Sequence, residues 1–170
     1  MICCLDVHYD EDGDEAVTAA VLFPSWTSSQ PSKVAISRRT QLEPYEPGQF
    51  YRRELPCLLQ ALQELSQRPS LILIDGYVWL DNFKPGLGAH LYEALEQTTP
   101  VAGVAKSEWH GLSRFTTVRR GNSARTLWIT VAGISLAEAA EGVASMHGPF
   151  RLPNMVKLAD SLCRRPWLAS

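Results

Sequence analysis

Three short apolar runs limit what this chain can fold into. Ile2–Val7 is apolar apart from Asp6, Leu71–Ile74 is unbroken, and Pro100–Ala105 carries no charge. Runs of this length, bounded by polar turns, read as strands buried on both faces and so central in a sheet. The second and third bracket a helical pattern at Gly88–Gln97. A strand, helix, strand order implies a parallel pair joined by a crossover.

The remaining elements fill out that frame. Asp10–Glu15 is a polar turn and Glu15–Phe23 a second strand, so the chain opens with a hairpin. The turn is not an EF-hand loop, because Glu15 stands where that loop needs Gly and Val21 where it needs Glu. Lys33–Gln41 reads as a third strand, with Val34 and Ile36 alternating against polar neighbours. Leu55, Leu58, Leu59, Leu62 and Leu65 form one helical stripe, with Pro56 expected in its first turn. Arg114–Val118 and Thr126–Val131 read as strands, and Ser135–Met146 and Leu152–Arg164 as helices. No repeat or linker divides residues 1–170, so a single domain is expected. The order is that of an α/β mixed sheet with helices on both faces, the ribonuclease H-like arrangement. In such sheets ligands collect at the carboxyl ends of central strands.

Composition narrows the class. At 45% hydrophobic and 20% charged, the chain is an ordinary globular protein, neither disordered nor disulfide-built. Cys3, Cys4, Cys57 and Cys163 form no CxxC and read as small buried hydrophobes. MICCLD has no basic segment and no long apolar one, so a cytoplasmic protein without a membrane segment is expected, with a monomer favoured. The formal charge is −2 but unevenly spread: residues 1–85 balance to −5 and residues 86–170 to +3. Between Trp109 and Ala137 there is no acid, and Arg114, Arg119, Arg120 and Arg125 fall there. Such a stretch can hold a phosphate backbone, or it can be a solvated hairpin.

Asp6 and Asp75 are the candidate chemistry. Each sits near the carboxyl end of a predicted central strand, where a carboxylate beside a core needs its charge compensated. If the two strands are neighbours the carboxylates converge, and oxygen ligands of this kind suit Mg²⁺ or Mn²⁺. Each could instead cap a turn. Glu54 heads the leucine-striped helix, either as a third acid or as a first-turn residue favoured by the helix dipole. Lys106 ends the third run and could neutralise a phosphate or simply reach solvent. His8, His90, His110 and His147 share no metal spacing, and neither GxSxG nor a P-loop is present.

Segments running from near residue 1 to about residue 165 resemble the endonuclease V family. Asp6-Val7-His8-Tyr9 is similar to its first aspartate strand. Pro44-Tyr45-Glu46-Pro47-Gly48, with Phe50 and Arg53-Glu54-Leu55-Pro56, is similar to its wedge motif and adjoining glutamate. Leu73-Ile74-Asp75-Gly76, Gly103-Val104-Ala105-Lys106 and Phe150-Arg151-Leu152-Pro153 with Ala159-Asp160 follow in the family's order. The resemblance implies a Mg²⁺-dependent endonuclease acting near inosine or a related lesion in DNA or RNA, in nucleic-acid repair or processing. It implies that Asp6, Glu54 and Asp75 hold the metal and that Lys106 sits beside the phosphate. It further implies that Tyr45, stiffened by Pro44 and Pro47 ahead of Gly48, wedges into the base stack. The extruded base would enter a pocket walled near Gly76 and Gly103.

Five departures from the family accompany these matches. The first strand begins at residue 2, where the family has a preceding helix. The family's Gly-His pair after the late strand, whose His assists at the metal, is replaced by Ala132 and Gly133 within Thr130–Ser135. The acid expected on the next helix is Ala137, with Glu138 beside it. Ser107 follows Lys106 where many members have a second Lys, and the glycine-rich loop after Asp75-Gly76 reads Tyr77-Val78-Trp79. The intact acids and Lys106 favour an active nuclease. The missing His favours a relative that binds nucleic acid without cutting it, and a domain whose acids are only structural is the third reading.

Overall fold

The computed structural model describes residues 1–10, 14–44, 46–81 and 84–164. Among these residues seven strands form one sheet in the order β3-β2-β1-β4-β5-β7-β6. The strands are β1 (Ile2–Tyr9), β2 (Ala16–Phe23), β3 (Lys33–Arg39), β4 (Leu71–Asp75), β5 (Val101–Ala105), β6 (Thr116–Val118) and β7 (Leu127–Ala132). β1, β4 and β5 run parallel, and the remaining pairs are antiparallel. The three apolar runs are thus the three central strands. The first hairpin is closed by Asp10 N–H on the Glu15 carbonyl at 3.1 Å. Its tip, residues 11–13, lies outside the described residues.

Among the described residues four helices cover the two faces: α1 (Tyr51–Gln63), α2 (Leu87–Ala94), α3 (Leu136–Ser145) and α4 (Asn154–Arg164). One core holds Cys3, Leu5, Leu58, Ile72, Ile74 and Leu91 beneath α1 and α2. The other holds Ile2, Cys4, Leu71, Leu73, Val143 and Val156 beneath α3 and α4. Alternate residues of β1 and β4 therefore face opposite layers, as a pleated strand requires. The sheet is mixed with helices on both faces, as the element order implies.

Element ends differ by a few residues from the sequence reading. α1 begins at Tyr51, ahead of its leucine stripe, so Pro56 stands in the second turn, where it has no N–H to donate to the Arg52 carbonyl. β3 stops at Arg39, and β6 starts at Thr116, leaving Arg114 in the preceding loop. Among the described residues no helix is long and apolar enough to cross a membrane.

Candidate active site

Strand register builds the site. β1 and β4 run in step, Cys4 opposite Leu73 and Leu5 opposite Ile74, which places Asp6 beside Asp75. Ile2 and Cys4, and likewise Leu71 and Leu73, face the α4 layer, and period two carries Asp6 and Asp75 to the same face. β1 continues to Tyr9 against β2, with Asp6 opposite Ala19, so it overshoots β4 and leaves Asp6 at the carboxyl end of the parallel core.

α4 supplies a third acid. It packs on β1 and β2, with Val156 and Ala159 closing over Asp6 and Asp75. Asp160 follows Ala159, and ligand oxygens of Asp6, Asp75 and Asp160 all lie within 4.8 Å of one another. Three half-buried carboxylates this close repel unless cations intervene. Two side chains already do so. Lys106 Nζ lies 2.5 Å from Asp75 Oδ2, and Arg164 Nε lies 3.0 Å from Asp160 Oδ1. Asp6 Oδ1 accepts the Val7 N–H at 2.8 Å.

The closest acids are not the three expected from the sequence, since Asp160 stands where Glu54 was expected. Glu54 is not in the close triad, because it comes from α1 in the opposite layer and approaches over the end of the sheet. It still feels the cluster: burial, then the charges of Asp6 and Asp75, push its carboxyl up to about 8. Burial, then the Asp75 and Asp160 charges, push Asp6 up to about 7 against the Val7 N–H and Lys106, which lower it. Burial pulls Lys106 down, but its hydrogen bond to Asp75 and the charges of Asp75, Asp160 and Asp6 leave it above its ordinary value. His8 follows Asp6 on the same face of β1, with its pKa lowered by burial and by Arg164 and raised by Asp160.

The missing histidine also takes a different meaning. β7 runs antiparallel to β5, with Ala132 opposite Val101 and Trp128 opposite Ala105. Ala132 and Gly133 therefore stand at the far end of β5 from Lys106, about 16 Å or more along the strand direction. Gly133 lies against the Tyr92 ring, and Ala137 and Glu138 open α3 just beyond it. A histidine at 132 or 133 would stand far along the sheet from these acids. The position beside Asp6 and Asp75 is filled by Asp160.

The other site residues divide. Pro44, Pro47 and Gly48 are exposed in the loop before α1, with Gly48 at φ +79, and Tyr45 between them lies outside the described residues. Gly76, at φ +120, has open space where a Cβ would stand, so backbone can be approached there. Gly103 is different. A Cβ on it would fall 2.5 Å from the Gly76 carbonyl oxygen and 3.0 Å from Val78 N, so its missing side chain admits the chain's own turn rather than a ligand. That turn is fastened by Val78 N–H on Thr130 Oγ1 at 2.7 Å and Trp79 Nε1–H on the Val131 carbonyl at 3.1 Å. Arg114 and Arg119 are exposed. Arg120 is corrected: it is 6% exposed, and its guanidinium donates to carbonyls of the α3–α4 loop, so it is not available to a phosphate.

A sequence model of the Endonuclease V family matches residues 1–134. The Endonuclease V of Xanthomonas axonopodis pv. citri is 31% identical over 185 residues, covering 97% of this chain and 77% of its own. The chain belongs to the Endonuclease V family. The crystal structure of Endonuclease V from Streptomyces avermitilis superimposes with a TM-score of 0.81 at 26% identity, covering 99% of this chain and 81% of the other. Ciona intestinalis Endonuclease V, solved with a 24mer DNA containing an inosine followed by a ribo-adenosine, shares the fold with a TM-score of 0.81. Its identity is 19%, with 99% of this chain and 85% of the other covered. The fold is the ribonuclease H-like fold of these relatives.

Proposed function

We propose that this protein is a divalent-metal-dependent endonuclease that hydrolyses a phosphodiester near inosine or a related damaged base in DNA or RNA. The observation that carries the reading is the closure of Asp6, Asp75 and Asp160 to within 4.8 Å at the carboxyl end of the central strands, with Lys106 against Asp75. Membership of the Endonuclease V family and the inosine-containing DNA held by the Ciona relative support it.

The residues present fit a hard cation. All three close ligands are carboxylates, the donor set of Mg²⁺ or Mn²⁺ rather than zinc. Burial and mutual repulsion hold Asp6 and Glu54 partly protonated near neutrality, so a divalent charge has repulsion to relieve. When bound, Mg²⁺ or Mn²⁺ supplies a Lewis acid that polarises the phosphate and makes water a stronger acid.

The chain's own residues supply the rest. Asp6, Asp75 and Asp160 hold the cation. Glu54, whose ionised form a bound cation would favour, would accept the proton that an attacking water loses. Lys106 exchanges its contact with Asp75 for the phosphate and offsets the charge that builds there. Tyr45 is the wedge, on a loop that Pro44 and Pro47 stiffen, and Gly76 lets the extruded base approach backbone. Arg114 and Arg119 take flanking phosphates. The protein acts as a monomer in the cytoplasm, where its four buried free cysteines stay reduced. The non-cleaving alternative rested on the missing histidine, whose place is at the other end of β5 from the acids.

The test is a strand panel. Single-stranded DNA and RNA, each with one inosine or none, are incubated with the protein and Mg²⁺. Cutting confined to the inosine strands supports the proposal. Equal cutting of plain strands removes the lesion preference, and binding without any cutting returns the non-cleaving alternative.

A further inference from the structure

Residues 146–153 join α3 to α4 and include no strand or helix, yet their backbone is tied down. Arg120 enters from the end of β6 and donates to the carbonyls of Met146, Gly148 (3.2 Å), Phe150 (2.9 Å) and Arg151 (3.3 Å). A buried guanidinium shared among carbonyls of one loop fixes that loop's course. Arg151 Nη1 donates in turn to the Lys106 carbonyl at 3.1 Å, so the loop is anchored to the strand end that carries the site lysine.

On this fixed backbone stands Phe150, 62% exposed, the most exposed large hydrophobic side chain among the described residues. Lys157 Nζ lies 5.4 Å from its ring centroid. Lys157 precedes Asp160 by three residues on α4, about one helical turn away and on the same side. An aromatic ring left in water adds little to the core. Held on a stiff loop beside a cation and next to a phosphate-cleaving cluster, it suits an unpaired base. The ring offers a face to stack on, the ammonium offsets a phosphate, and the rigid backbone loses little entropy on binding.

We infer that Phe150 and Lys157 form a stacking subsite for one base of the strand being cut, the ring taking the base and Lys157 the adjoining phosphate. The inference rests on the nuclease reading above.

The experiment is an abasic scan. Inosine-containing DNA and RNA strands, with each neighbouring nucleotide replaced in turn by an abasic one, are bound to the protein and to Phe150→Ala, both in an Asp75→Ala background that keeps the strand whole. The expected result is a loss of roughly 5- to 100-fold in affinity at one position for the Phe150 protein. Phe150→Ala should bind the intact strand more weakly by a similar factor and lose nothing further at that position. Phe150→Trp should restore the pattern, and Lys157→Gln should lower the salt slope by about one. The same profile in DNA and RNA identifies a base contact, and one confined to a single sugar type assigns it to that strand class. Identical profiles for Phe150 and Phe150→Ala would overturn the subsite and leave the nuclease reading standing. No binding of any strand by either protein would overturn both.

Discussion

Lys106 Nζ and Asp75 Oδ2 meet at 2.5 Å, at the ends of adjacent parallel strands. The pair ties the cation to the cluster that would hold a metal, so loss of the lysine separates two effects. Lys106→Ala frees a ligand oxygen and removes the charge beside the phosphate. Metal-induced stabilisation should persist, while turnover of an inosine strand falls roughly 10²–10³-fold. Melting curves with and without Mg²⁺, beside single-turnover rates, check this. A parallel loss of both would make Lys106 a structural partner only.

Asp160 carries the difference between the acids expected and the acids assembled. Asp160→Asn keeps the shape of α4 and removes one of the three clustered carboxylates. The Mg²⁺ midpoint for thermal stabilisation should move to higher concentration by about tenfold or more. An unchanged midpoint would return Asp160 to a surface ion pair with Arg164.

The metal-free protein should be sensitive to pH in a defined window. Asp6 rises from 3.8 to about 7 and Glu54 from 4.5 to about 8, so the folded chain holds protons that the unfolded chain releases. The stabilisation from these two groups is whole below about pH 4 and is lost as pH rises through 7 and 8. In chelator, Tm should fall by on the order of 5–10 °C across that range relative to Asp6→Asn. Mg²⁺ should flatten the fall, since it stabilises the charged form. An equal slope in both proteins would contradict the raised values.

Arg120 predicts a stability effect. Arg120→Ala strands carbonyls at Met146, Gly148, Phe150 and Arg151 in a partly buried loop, a loss of about 3 kcal/mol. Arg119→Ala, at an exposed side chain, should leave the unfolding free energy within about 0.5 kcal/mol of wild type but lower the salt slope of nucleic-acid binding by about one. Denaturant unfolding and binding at several salt concentrations distinguish the two.

The central strands were legible because burial on both faces leaves an unmistakable apolar run. Asp6 and Asp75 stood out as the first charges at the ends of those runs, and the parallel register that joins them follows from the crossover. Asp160 was not legible as a member of the acidic cluster. In sequence it is an exposed-looking acid with Arg164 four residues on, the pattern of a solvated helix pair, and only the packing of α4 over β1 brings it to the cluster. Arg120 was misread for a related reason. A count of charges treats neighbouring arginines alike, whereas just past β6 Arg119 stands exposed and Arg120 is buried against carbonyls. Glycine was ambiguous in the same way: Gly76 opens onto space, and Gly103 makes room for the turn after β4.

If these acids position a divalent cation for strand cleavage, cutting requires both the metal and Asp75. Single-turnover cutting of an inosine strand by wild type and Asp75→Ala, with Mg²⁺ and with chelator, and with binding followed alongside, tests it most directly. Wild type should cut only with Mg²⁺ present, and Asp75→Ala should bind without cutting. Equal cutting by Asp75→Ala, or cutting that survives the chelator, would contradict it.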